Sequence, residues 1–289
     1  MTTPAAPPSD VWVWSPPEPG PPDLIPGLLP RHGHLLISGE TDVGKTTLAL
    51  EIAMAVLTGQ PLWGSHVVPS TTIERVTYIM GEHHESTLQS LWRLMGFGGE
   101  PAIKIIPPHL HRPLVVRGLT MERTLEAYIG SCQGSQLLIF DPLNAFVAGS
   151  DAENDSVQMR ACLNGMESIA TQIGAALLIL GHMGKPYFDQ KRQKYEHRTT
   201  YASRGSSAIE DAATCCFYMI QDDPKEHANR FRLIRRKYKG EAPAFYALSR
   251  DGRNRHTLTG GGKTRGEIST AKSHPGVAGR PKTESEICT

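Results

Sequence analysis

The sequence predicts an α/β fold: a mostly parallel sheet with helices on both faces and antiparallel strands added at one edge. Three observations carry that prediction. Gly39-Glu40-Thr41-Asp42-Val43-Gly44-Lys45-Thr46 matches G-x-x-x-x-G-K-[ST] at every fixed position and lies between a strand-length apolar run and a helical one. Downstream, continuous apolar runs of strand length alternate with helical segments, the pattern of parallel strands buried on both faces. Past residue 205 the pattern changes and three strands follow one another at short spacing, as antiparallel neighbours do.

Residues 1–22 hold Pro7-Pro8, Pro16-Pro17 and Pro21-Pro22 and cannot sustain a helix or a central strand, so they read as an extended tail. Trp12 and Trp14 within it either dock on the same chain or mark a partner contact. A single domain is expected over residues 23–250. It opens with a strand at 34–38 and a helix at 47–56, followed by a strand at 75–80 and a helix at 85–95. A strand at 103–106 and a helix at 120–130 come next, then a strand at 136–140, a helix at 156–173 and a strand at 175–180. The closing strands are expected at 214–220, 230–238 and 244–248. From residue 251 to 289 the chain passes through Gly260-Gly261-Gly262 into polar sequence with few large apolar residues, which should be disordered.

A formal net charge of +1 over 289 residues excludes chain-wide attraction to nucleic acid, so any such surface must be local. The five cysteines form no Cys-x-x-Cys pair and read as small buried hydrophobes in a reducing compartment. No apolar run approaches the roughly 18 residues of a membrane span, and no basic region precedes an apolar one at the N-terminus, so a cytoplasmic location is expected.

The P-loop motif predicts ATP binding. Its glycines let backbone N–H groups turn inward around phosphate oxygens, and the helix N-terminus adds its positive dipole end. The cofactor-binding set is therefore Gly39, Glu40, Thr41, Asp42, Val43, Gly44, Lys45, Thr46 and Thr47. Lys45 would reach the β- and γ-phosphates, and Thr46 would set its hydroxyl on Mg²⁺. Asp141 closes the strand at 136–140, where a Walker B carboxylate would hold the metal through water; an ordinary Asp-Pro turn is the alternative.

Pro142 removes the tandem acidic pair that would supply a base, so Glu82, just past the strand at 75–80, becomes the expected base, with Glu85 as a helix-capping competitor. The run Glu82-His83-His84-Glu85 lacks both His-Glu-x-x-His and a cysteine, which argues against zinc. His182, beyond the strand at 175–180, is expected to sense the γ-phosphate; an ordinary structural histidine is the alternative. The polar loop 185–204, bounded by Lys185 and Arg204, mixes Lys191, Arg192 and Lys194 with Tyr187, Phe188 and Tyr195. That mixture suits either single-stranded nucleic acid or a solvated loop.

Leu24-Ile25-Pro26-Gly27-Leu28-Leu29-Pro30, Glu82, Asp141, His182 and Ala202-Ser203-Arg204-Gly205-Ser206-Ser207 together resemble the RecA-fold ATPases of the plasmid RepA replicative-helicase type, over roughly residues 24 to 250. The resemblance implies a RecA-like core that assembles as a hexameric homo-oligomeric ring with ATP between subunits. It also implies single-stranded DNA in a channel faced by loop 185–204, and Arg204 inserted into the neighbouring site. Lys237-Tyr238-Lys239 resembles the paired Lys-x-Arg finger of DnaB-like helicases with lysine in the second place, and Arg93 corresponds weakly to a phosphate contact. The function so implied is a ring-forming, Mg²⁺-dependent ATPase acting on single-stranded DNA, a replicative-type helicase. The alternatives are a nucleotide-switched regulator without unwinding and a DNA-binding assembly factor with residual turnover.

Overall fold

The computed structural model describes residues 23–262 except 66, 83, 98–101, 111–112, 118, 149–154, 184–186, 190–193, 197–206, 223–226, 228 and 238–244. The expectations for the tail at 1–22, for Lys185, Lys191, Arg192, Arg204, Tyr238 and Lys239, and for residues 263–289 lie outside the described residues.

Strand β1 (His34–Gly39) runs into the P-loop and helix α1 (Lys45–Thr58). Then come β2 (Val76–Met80), α2 (Glu85–Leu94) and β3 (Ile103–Ile106). Short strands β4 (Val115–Val116) and β5 (Leu119–Thr120) precede α3 (Glu122–Cys132) and β6 (Leu137–Asp141). After a 3-10 turn at Leu143–Phe146 follow β7 (Val147–Ala148), α4 (Ser156–Ile173) and β8 (Ala176–His182). Two three-residue strands, β9 (Tyr187–Asp189) and β10 (Lys194–Glu196), pair antiparallel ahead of α5 (Ser207–Ala212). The chain closes with β11 (Cys215–Gln221), β12 (Arg230–Lys237), β13 (Phe245–Arg250) and β14 (His256–Gly262).

Nine strands form the main sheet in the order β14-β13-β12-β11-β1-β8-β6-β2-β3. From β11 to β3 all neighbours are parallel, and β12, β13 and β14 add antiparallel at one edge. Each central strand sends alternate side chains to opposite faces. Leu35, Ile37, Leu137, Ile139, Leu178 and Leu180 join α1 and α2 in one core, whereas Leu36, Leu138, Phe140, Leu177 and Ile179 join α3 and α4 in the other. Burial on both faces is why these strands read as unbroken apolar runs. Helix α4 has both ends defined locally: Asp155 accepts from the Val157 and Gln158 N–H groups, and Gly174 ends it in a left-handed turn.

The expected strands and helices are present with ends shifted by a few residues, the short helix α5 is additional, and four further features depart from expectation. The sheet does not end near residue 250: β14 pairs with β13 along His256–Gly262, so the first part of the expected tail is a strand. Loop 185–204, expected without secondary structure, contains the β9–β10 pair, whose strands are too short to show a period. A small sheet of β5, β4 and β7 was not foreseen, for the same reason. Helix α2 is capped by His84, whose Nδ1 accepts the Ser86 N–H, while Glu85 sits in the first turn and accepts from Gln89.

Among the described residues no helix is long and apolar enough to cross a membrane. Cys132, Cys162, Cys215 and Cys216 are buried free thiols, and burial raises the pKa of each, that of Cys132 to about 11.

His34 opens β1 with about 1% of its surface exposed, and neither ring nitrogen has a hydrogen-bond partner among the described residues. Burial first, and the Lys237 charge second, lower its pKa to about 4 from an ordinary 6.5. The unfolded chain therefore binds this proton more tightly than the folded one, so stability rises with pH between about 4 and 6.5 and is lost as pH falls through that window. His34→Leu should remove up to about 3 kcal/mol of the destabilisation seen between pH 7 and pH 4. Urea midpoints of the two proteins across that range test this; parallel pH profiles would contradict it.

Candidate nucleotide-binding site

The site forms at the carboxyl ends of β1, β8, β6 and β2, where loops leave a parallel sheet and its polar residues collect. Two residues of the loop after β1 take left-handed backbone, Asp42 at φ 61° and Gly44 at φ 101°. Helix α1 begins at Lys45 with no side chain capping it. Its first N–H groups are thus left for a ligand, and the dipole favours an anion there.

Lys45 is buried, and its Nζ donates to the carbonyls of Gly39 at 3.1 Å and Glu40 at 2.6 Å. Burial lowers its pKa, while Asp141, Asp42, Glu82 and Glu40 oppose that shift. The ammonium is thus folded back onto its own loop, with the charges of Asp141, Asp42, Glu82 and Glu40 around it.

Thr46 lies at the start of α1 and Asp141 at the end of β6, 95 residues later, and the Thr46 hydroxyl donates to Asp141 Oδ2 at 2.8 Å. Tyr78, from β2, donates its hydroxyl to the same oxygen at 2.6 Å. Burial first, then the Asp141 charge, raises the Tyr78 pKa well above the ordinary range, so the phenol keeps its proton and remains a donor. The Asp141 carboxylate thus meets the P-loop hydroxyl as well as ending its strand. A hydroxyl and a carboxylate side by side form a hard oxygen donor set, which fits Mg²⁺ sharing its remaining positions with water and phosphate. Tyr78 escaped the sequence reading because nothing separates it from its apolar neighbours in β2.

Glu82 follows β2 through Gly81, whose N–H donates to the Asp141 carbonyl at 2.7 Å. A Cβ on Gly81 would stand 2.2 Å from the Ala145 Cβ, so only glycine lets the chain pass this close to the segment after β6. The turn brings the Glu82 carboxylate to 3.9 Å from His182 Nε2 at the end of β8. His182 is also tied to the P-loop through the backbone: the Met183 N–H donates to the Gly39 carbonyl at 3.0 Å, and His182 pairs with Gly39 in the β1–β8 register. Lys45, Thr46, Asp141, Glu82 and His182, expected separately, converge on one sheet edge.

Two other expectations find no such placement. Lys237 Nζ donates to the Glu210 and Asp211 carbonyls at the end of α5, which engages it within its own chain. Arg93 is exposed in the last turn of α2 and makes no hydrogen bond or ion pair with the P-loop.

No curated protein matches the chain by sequence. The fold is shared with solved structures at low identity. A solved ATPase domain superposes with a TM-score of 0.56 at 14% identity, covering 78% of this chain and 84% of that one. A KaiC-like protein, PH0186 from Pyrococcus horikoshii OT3, gives 0.54 at 17% identity, covering 84% and 96%. A DnaB-like replicative helicase, solved with its primase interactions, gives 0.52 at 13% identity; the match covers 79% of this chain and 57% of that one. These neighbours establish a RecA-like P-loop core. A family model described as an AAA domain matches residues 2–187, more than half of the chain and every site residue from Gly39 to His182, and the chain therefore belongs to the AAA_25 family.

Proposed function

We propose that the chain binds ATP with Mg²⁺ at the P-loop and hydrolyses it, working as a ring-forming motor on single-stranded DNA of the replicative-helicase kind. The observation that carries the ATPase part is the shared Asp141 oxygen, which joins the P-loop hydroxyl of Thr46 to the edge where Glu82 and His182 meet. In this reading Lys45 leaves the Gly39 and Glu40 carbonyls for the β- and γ-phosphates. Thr46 and Asp141 hold Mg²⁺, whose charge offsets that of the phosphate oxygens. Glu82 orients the attacking water and accepts its proton, and His182, against Glu82, senses whether the γ-phosphate is present. Arg204, supplied by a neighbouring subunit of a hexamer, would make turnover depend on assembly. The in-chain hydrogen bonds of Lys237 favour Arg204 for that role.

The motor part rests on loop 185–204 and its basic and aromatic residues. A nucleotide-switched regulator that separates no strands is the other reading, and the fold shared with a KaiC-like protein leaves it open.

Lys45→Ala should abolish turnover, while Glu82→Gln should retain ATP binding and lose turnover by about a hundredfold or more. Binding by calorimetry and phosphate release measured in parallel test this; wild-type turnover by Glu82→Gln would remove Glu82 as the base.

Tyr78→Phe removes one of the two donors on Asp141 Oδ2 and leaves the ring packing intact. The Mg²⁺ concentration giving half-maximal ATPase should rise about tenfold, as expected for a residue that orients a metal ligand. An unchanged Mg²⁺ dependence would reduce Tyr78 to a packing role.

Single-stranded DNA should stimulate ATPase, with stimulation falling steeply as salt rises, and replacing Lys191, Arg192 and Lys194 by Ser should flatten that salt dependence while basal turnover survives. ATPase insensitive to DNA would favour the regulatory reading.

A further inference from the structure

We propose that Arg250 is a second nucleotide-binding cation, held against the P-loop by Glu51 and His256 so that its guanidinium meets the phosphate chain beside Gly44. The inference rests on the nucleotide-binding reading of the P-loop and adds a residue from the antiparallel edge.

Arg250 ends β13, and its cross-strand partner in the register is His256, which opens β14. The turn between them is closed by Asp251, whose Oδ1 accepts the N–H groups of Arg253 and Arg255 and whose own N–H donates to the Arg255 carbonyl. His256 is fixed in turn to helix α1. Its backbone N–H donates to Glu51 Oε1 at 2.5 Å, and its Nδ1 lies 2.9 Å from Glu51 Oε2, which also accepts the Trp63 indole N–H at 3.2 Å. Glu51 and His256 are 6% and 4% exposed. A buried carboxylate on the helix that starts at the P-loop thus clamps the β13–β14 turn beside that loop.

The clamp brings the Arg250 side chain to Gly44. The Nη1 atom stands 2.8 Å from where a Cβ on Gly44 would lie, so the guanidinium sits directly against the P-loop backbone where Gly44 turns at a φ of 101°. The guanidinium stacks over Phe231 at 4.5 Å. Among the described residues it donates no hydrogen bond and makes no ion pair, although half-burial lowers its pKa and only the nearby Glu51 charge opposes this. A partly desolvated cation costs free energy unless something compensates it. Glu51 makes no ion pair with it; its oxygens face the Trp63 and His256 groups instead. The group that would compensate it is an anion in the P-loop, and for a nucleotide that anion is the phosphate chain.

The test is ATP binding by calorimetry at low and high salt for wild type, Lys45→Ala, Arg250→Met, His256→Phe and the double variant Arg250→Met/His256→Phe, with thermal melts to establish that each folds. Methionine keeps the apolar stem on Phe231 and removes the charge. Arg250→Met should bind ATP about ten- to a hundredfold more weakly, with a shallower salt dependence. His256→Phe should weaken binding less, and should add nothing in the Arg250→Met background, because its effect runs through Arg250. A merely structural clamp would lower the melting temperature and leave affinity alone. Wild-type affinity in a folded Arg250→Met, with binding lost in Lys45→Ala, would overturn this inference and leave the P-loop reading standing. Loss of affinity with an unchanged salt dependence would place the contact on base or sugar and overturn the phosphate role. Failure of the wild-type protein to bind ATP would overturn both readings.

Discussion

One oxygen atom, Oδ2 of Asp141, ties together three parts of the chain that the site depends on. It receives the hydroxyl of Thr46 from the head of α1 and the hydroxyl of Tyr78 from β2, while its own strand, β6, lies between β2 and β8. Two charge-assisted hydrogen bonds on one carboxylate oxygen set the height of the P-loop helix over the sheet. They also fix the carboxylate at the carboxyl end of the sheet beside the P-loop. Tyr78 acts from below the site: its buried phenol cannot easily ionise beside Asp141 and remains a donor.

That arrangement needs a rigid floor, which two-sided burial supplies. Residues 137–140 are fully buried, with alternate side chains in opposite cores, so β6 cannot slip by one residue without exchanging its two faces. Where the strands end, small residues allow close approach. Gly81 passes Ala145 at a distance no Cβ would tolerate, and that passage delivers Glu82 to His182.

The antiparallel edge is coupled to the nucleotide end of the sheet. Strand β12 carries Lys237, whose ammonium closes α5, and Phe231, which supports Arg250. Strand β14 brings His256 to Glu51 on α1. A short covalent and hydrogen-bonded route runs here from the edge strands through Glu51 to helix α1, which starts at the P-loop.

The sequence by itself determined the alternation of strands and helices, the P-loop motif, and the polar residues Asp141, Glu82 and His182 at the strand ends. These are legible because a motif with fixed spacing and apolar runs between turns are local properties. Strands of two or three residues, such as β4, β7 and β9, fall below the length at which a period exists, and β14 was hidden by Gly260-Gly261-Gly262, a composition typical of tails. Only the tertiary structure decided which distant side chains share an atom. Thr46 meets Asp141 across 95 residues, and Glu51 meets His256 across 205. Tyr78 and Arg250 carry no local mark of where their side chains lie, since an apolar strand accepts a tyrosine and an edge strand an arginine for ordinary reasons. Their chemistry comes from the neighbours the sheet order gives them, and strand order is fixed by long-range packing on the two faces, which no window of sequence contains.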